Sequence, residues 1–197
     1  MEIQPGSSQS TKTQQSMRAL PVPIVKKKDI FISLYNPRDT IYTDQTGQFL
    51  HASICGYNYQ MIIHKIDGNS TWVELMKNKL QGEMIRARRD ALLRIEIQNI
   101  VPVRQILDNE ISEAYKQEIR NTGMTYQLVP PDNHRRNIAE RAIQTWKNHF
   151  VSVLSGAASA FPLHLWCQVI PQAERQLLLL SHSNVNTHIS FYAHVYG

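Results

Sequence analysis

Hydrophobic and polar positions change rhythm several times along the chain, and each change predicts an element. "TIYTD" (Thr40 to Asp44), "NYQMIIHKI" and "STWVELM" are rich in β-branched and aromatic residues and predict three strands. The last two are separated by "DGN", where Asp67-Gly68 predicts a hairpin turn. From about Asn78 to Ile97, Leu80, Met84, Ala87, Ala91 and Ile95 recur every three or four positions, which predicts a helix that Gly82 weakens at its start. "VRQILDN" predicts a short strand ending on Asp108, followed by a helix from about Glu110 to Asn121 with Gly123 as its stop. "MTYQLV" predicts another strand, closed by Pro130-Pro131.

The longest helix is predicted from about His134 to Leu154, with Asp132 or Asn133 as its cap. Ala139, Ala142, Ile143, Trp146, Phe150, Val153 and Leu154 form its apolar stripe. "SGAASAFP" ends it, and "PLHLWCQVIPQAERQLLLL" predicts a last helical segment interrupted at Pro171. Strands and helices in this order predict an α/β domain: a mixed five-stranded sheet flanked by helices on both sides.

Before Asp29 the pattern is absent. Residues 1–28, with "SSQSTKTQQS" near their centre and Lys26 to Lys28 at their end, predict a polar, basic, disordered tail or linker ahead of a domain at 29–197. With 197 residues and 42% hydrophobic residues, the chain can bury one sizeable core. A formal net charge of +5 leans towards a polyanionic partner. Cys55 and Cys167 are too remote for a CxxC pair or a four-cysteine zinc site, and both are expected as small buried thiols in a reducing compartment. The longest apolar run, Leu177 to Leu180, is far too short to span a bilayer, and the start lacks an apolar signal core. A soluble protein with no membrane association is expected.

Chemistry enters with three acids. Asp44 ends the first predicted strand, Asp108 ends the fourth, and Glu140 stands among Arg135, Arg136, Arg141 and Lys147 early on the long helix. In open α/β sheets, sites gather at the carboxyl ends of strands. Two neighbouring strands ending in Asp, with a helix-borne Glu laid across them, would offer oxygen ligands to a hard divalent cation. At about 100° per residue, Glu140, Gln144 and Lys147 fall along one stripe beside the apolar face. The plainer alternatives are a turn or cap role for each aspartate and a pairing of Glu140 with Gln144 or Arg136. Asp67 is expected to serve its turn, and Glu110 the first turn of its helix. The eight histidines are scattered without metal spacing, and Trp72, Trp146 and Trp166 are expected in the core.

Taken together, "TDQTGQF", "ILDNE" and "HRRNIAERAIQTWK" resemble the D,D,E signature of retroelement integrases, closest to the copia-like type of long-terminal-repeat retrotransposons. Asp44 to Gly47 reproduce D-x-T-G, Asn137 to Arg141 reproduce N-x-A-E-R, and "FPLHLWCQVIPQAERQLLLL" looks like the family's terminal segment. The resemblance implies a ribonuclease H-like fold and DNA integration by metal-dependent polynucleotidyl transfer. It further implies two Mg²⁺ or Mn²⁺ ions held by Asp44, Asp108 and Glu140, contacts from Lys147 and Gln144 to DNA, and Arg135 and Arg136 on backbone phosphates. A homo-oligomer acting in the nucleus on element ends and target DNA is implied as well.

The chain departs from the family pattern in three ways. Only 31 residues separate Asp108 from Glu140, which predicts a trimmed loop. No His/Cys zinc module precedes the core, and no basic domain follows "HVYG", so a core or a polyprotein fragment is expected. Two other functions compete. A ribonuclease H acting on hybrids would need a further acid on the first helix, for which Glu83 is the candidate, and a repurposed DNA-binding relic would keep the acids without the activity.

Overall fold

The computed structural model describes residues 38–108, 111–129 and 138–196, with side chains from Glu140 onward in the last span. The expectations for the tail at 1–28, for Glu110, for the cap at Asp132 or Asn133, and for Arg135 and Arg136 lie outside these residues. Five strands form one sheet: β1 (Thr40–Gln45), β2 (Tyr59–Lys65), β3 (Ser70–Met76), β4 (Arg104–Leu107) and β5 (Thr125–Leu128), in the order β3-β2-β1-β4-β5. β3, β2 and β1 are antiparallel, whereas β1, β4 and β5 run parallel. The helices are α1 (Gln81–Ile97), α2 (Glu113–Asn121), α3 (Ile138–Ser155), α4 (Trp166–Leu180) and α5 (Phe191–Tyr196).

Strand alternation sends side chains to two cores. Ile41, Met61, Ile63, Trp72 and Leu107 face α1 and α2, packed with Ala87, Ala91, Ile95, Tyr115 and Ile119. Ile62 and Val73 face α3 and α4, packed with Ile143, Trp146, Phe150, Ile170 and Leu177. The three tryptophans are buried as expected.

Several local expectations are corrected. The hairpin turn does form, with Asn69 N–H donating to Ile66 O at 3.0 Å. Asn69 rather than Gly68 takes the positive φ, at 52°. Gly68 is required for space instead, because a Cβ there would lie 2.7 Å from the Phe191 ring. α2 starts at Glu113, since Ser112 is its cap and its hydroxyl accepts the Tyr115 N–H at 3.3 Å. Gly123 at φ 75° ends it as expected. α4 runs through Pro171, which lies in the second turn and so removes a single early helical hydrogen bond. Cys55 is exposed, because it sits in the loop after β1, while Cys167 on α4 is buried.

The exposed edge of β3 is capped by side chains. Val73 N–H donates to Glu174 Oε1 at 3.0 Å, Arg94 Nη1 donates to Val73 O at 3.1 Å, and Arg86 Nη2 donates to Leu75 O at 2.5 Å. Those bonds occupy backbone groups that would otherwise invite another strand.

Candidate active site

Register brings two of the acids together. β1 and β4 run parallel with Thr43 beside Leu107, so the next pair along is Asp44 beside Asp108. Thr43 and Leu107 face the α1 side: Gln105 Nε2 donates to Thr43 Oγ1 at 2.7 Å, and Leu107 belongs to the α1-side core. Alternation therefore turns Asp44 and Asp108 towards α3.

The third acid arrives on α3, which packs across β1 and β2. Its seat is a buried polar bond: Trp146 Nε1 donates to Gln60 Oε1 on β2 at 2.7 Å. Trp146 also stacks on Phe150, with ring centroids 5.6 Å apart. Glu140 lies in the first turn of α3 and is exposed. The loop leaving β1 is pinned to the same layer, with Phe49 stacked on Trp166 at 4.7 Å and Trp166 Nε1 donating to His51 O at 2.9 Å.

Electrostatics tie the three acids together. Burial pushes the Asp44 carboxyl above its ordinary range, the Gln45 N–H bond pulls it back, Asp108 and Glu140 raise it further, and Lys79 lowers it. That N–H donates to Asp44 Oδ1 at 2.7 Å. Among the described residues, no three His, Cys, Asp or Glu side chains are close enough to make a ready ligand set for a metal. The charges of Asp108 and Glu140 both act on Asp44, although the three acids are not gathered into a ready shell.

The remaining candidates fall into place around this cluster. Gln144 and Lys147 are exposed on the same stripe as Glu140. Glu83 serves α1 instead: its Oε1 accepts the Lys77 N–H at 2.9 Å and pairs with Arg86 at 2.9 Å. The Arg86 guanidinium holds the Glu83 carboxyl below the usual range. Lys79, which the sequence gives no reason to single out, is a cation whose charge acts on Asp44. The β2–β3 hairpin carries it to the same edge of the sheet as the end of β1, a placement that only pairing of the strands creates.

No protein-family model matches the chain, and no curated protein matches it. Solved structures do. A chain of the simian T-cell lymphotropic virus intasome, in complex with the PP2A regulatory subunit B56 gamma, matches with a TM-score of 0.64 and 14% identity over 86% of this chain. This chain spans 58% of that one. The HTLV-2 integrase catalytic core domain in complex with magnesium matches in its trimeric form with a TM-score of 0.59, 16% identity, 81% of this chain and 97% of that one. Its dimeric form matches with a TM-score of 0.57, 17% identity, 78% and 97%. The mixed five-stranded sheet flanked by helices is the ribonuclease H-like fold of these integrase cores.

Proposed function

We propose that this chain is the catalytic core of a DNA integrase of the copia-like type, acting by metal-dependent polynucleotidyl transfer through Asp44, Asp108 and Glu140. The observation that carries the reading is the coupling of Asp44 to both Asp108 and Glu140 at the ends of two parallel strands beneath α3. A ribonuclease H reading is disfavoured because Glu83 is engaged with Arg86 and the Lys77 backbone.

The donor set suits hard divalent cations, because it is all carboxylate oxygen and because burial and the acidic neighbours of Asp44 disfavour its charged form. A cation relieves that penalty. Mg²⁺ or Mn²⁺, two ions in this reading, would supply positive charge at the phosphate and at the attacking and leaving oxygens. Magnesium in the HTLV-2 core supports this choice. Asp44, Asp108 and Glu140 would hold the ions. Gln144 and Lys147, exposed on the Glu140 stripe, would position the element's terminal DNA, with Arg135 and Arg136 on its backbone phosphates. The reaction is an in-line displacement at phosphorus. A water oxygen, and afterwards a DNA 3′-hydroxyl oxygen, forms the new P–O bond as the bridging P–O bond breaks. The attacking oxygen gives up its proton to solvent as the bond forms, and the leaving oxygen takes one up from solvent and departs as the 3′-hydroxyl of the cleaved strand. No bond to the protein forms. The dimeric and trimeric forms of the HTLV-2 core support a homo-oligomer, which would let two DNA ends be joined together at the site of nuclear action.

The test is nicking and joining of a labelled DNA duplex with Mg²⁺, with Mn²⁺ and with chelator. Products that need the metal support the reading. Products formed equally in chelator overturn it.

A further inference from the structure

The strand ends beside Asp44 carry a second polar feature, on the side of the sheet away from α3. Backbone bonds lock three segments into one ledge. Thr46 N–H donates to Gln60 O at 2.8 Å, Phe49 N–H to Asn58 O at 2.9 Å, and Asn58 N–H to Met76 O at 3.0 Å. Asn58 Nδ2 extends the tie to Lys77 O at 3.3 Å. Across this ledge runs a row of three side chains. The Tyr59 hydroxyl donates to Gln48 Oε1 at 3.3 Å, and Lys79 Nζ lies 5.6 Å above the Tyr59 ring. Tyr59 packs partly against the α1-side core, which places the row opposite α3.

Two properties of this row suit it to a phosphate. Lys79 is exposed and makes no ion pair among the described residues, although acids lie near enough for its charge to act on Asp44. Its neighbour Lys77 differs, since its charge acts on Glu83. The Tyr59 ring holds the Lys79 ammonium in place before any ligand arrives, which lowers the entropy lost on binding. A phosphodiester brought against three carboxylates meets repulsion that cations on both flanks offset. Lys147 stands on the α3 flank, and Lys79 stands on the other.

We propose that Gln48, Tyr59 and Lys79 form a phosphate-contacting ledge that receives the DNA backbone on the β3 side of Asp44. Lys79 supplies the charge, and the Tyr59 hydroxyl turns from Gln48 to donate to a phosphate oxygen. The proposal rests on the integrase reading above.

The experiment measures binding of a fluorescent DNA duplex by anisotropy across a salt series, in Mg²⁺ and on a Glu140→Gln background that stops turnover. Lys79→Met, Lys77→Met and Lys79→Arg are compared in that background. Loss of one phosphate contact lowers the slope of log affinity against log salt by about 0.9. Between about 50 and 200 mM salt, the Lys79→Met chain then loses affinity by a factor roughly 3.5-fold smaller than the Lys79 chain does. Lys77→Met leaves the slope unchanged, and Lys79→Arg restores it. Binding with an unchanged slope in Lys79→Met overturns the ledge and leaves the integrase reading standing. No binding by the Lys79 chain at any salt overturns both.

Discussion

Trp146→Phe probes the seat of α3. In the folded chain the indole N–H donates to Gln60 Oε1 at 2.7 Å, and both residues are fully buried. Gln60 Nε2 already lacks a partner, so the Trp146 bond is the one that satisfies this buried amide. Removing the indole leaves both ends of the amide unpaired, at a cost of about 1–3 kcal/mol. The smaller ring adds about 1–2 kcal/mol for lost packing against Phe150. Urea unfolding should therefore show a loss of about 2–4 kcal/mol, a midpoint shift of roughly 1–2 M. Gln60→Leu on top of Trp146→Phe removes the orphaned amide altogether. The double variant should then be more stable than Trp146→Phe alone by about 1–3 kcal/mol. Additive losses, with the double variant the least stable, would refute the reasoning. The bond would then have no part in holding α3 over β2. Glu140 lies six residues before Trp146, about 9 Å along the helix, so the same bond also governs where the third acid stands.

Glu174→Ala should cost about 2–4 kcal/mol, because it leaves the buried Val73 N–H unpaired and strips Arg94 of a partner. A melt should show Tm lower by roughly 4–16 °C, and sedimentation should show concentration-dependent association through the uncapped β3 edge. An unchanged Tm with a monodisperse chain sinks that account of the edge. His64 is held neutral by burial, its pKa pushed down to about 4 against the opposing effects of the Ser70 backbone and Asp67. The unfolded chain takes up this proton from about pH 6.5 downward, so His64 contributes stability above that pH that is lost as pH falls towards 4, about 3 kcal/mol in all. Asp44 and Glu174, with raised carboxyls, act in the opposite sense, and they cancel when parent and His64→Gln are compared. Equal slopes of stability against pH for the two chains between pH 7 and 5 would contradict the assignment.

The fold was legible because its elements obey their own periods. Alternation in "TIYTD" and "NYQMIIHKI" marks strands, and Ile143, Trp146 and Phe150 mark the buried face of α3. The positions of Asp44 and Asp108 at strand ends were legible for the same reason, and parallel pairing of β1 with β4 aligned them. Local competition decided what the sequence misjudged. Ser112 captured the α2 start through its hydroxyl, and within the expected hairpin turn it is Asn69 that takes the positive φ. Arg88 was hidden for another reason. It follows the apolar position Ala87 on α1, yet it is fully buried, donating to Gln105 Oε1 at 2.8 Å and Thr122 Oγ1 at 3.0 Å. Those acceptors come from β4 and from the end of α2, which no local pattern connects to α1. Lys79 was hidden likewise, since its nearness to Asp44 arises only when the β2–β3 hairpin folds back beside β1.

The most direct test compares Glu140→Gln with Glu113→Gln in the metal-dependent nicking and joining assay. Both changes keep the side-chain size and remove one exposed carboxylate, but Glu113 lies on α2, paired with Lys116 and Arg120. The account predicts that Glu140→Gln lowers both activities by at least about 100-fold, as expected for loss of a group acting at the reacting phosphate, while Glu113→Gln matches the parent. Full activity in Glu140→Gln, or equal loss in the two variants, would contradict the assignment of Asp44, Asp108 and Glu140 as one catalytic site.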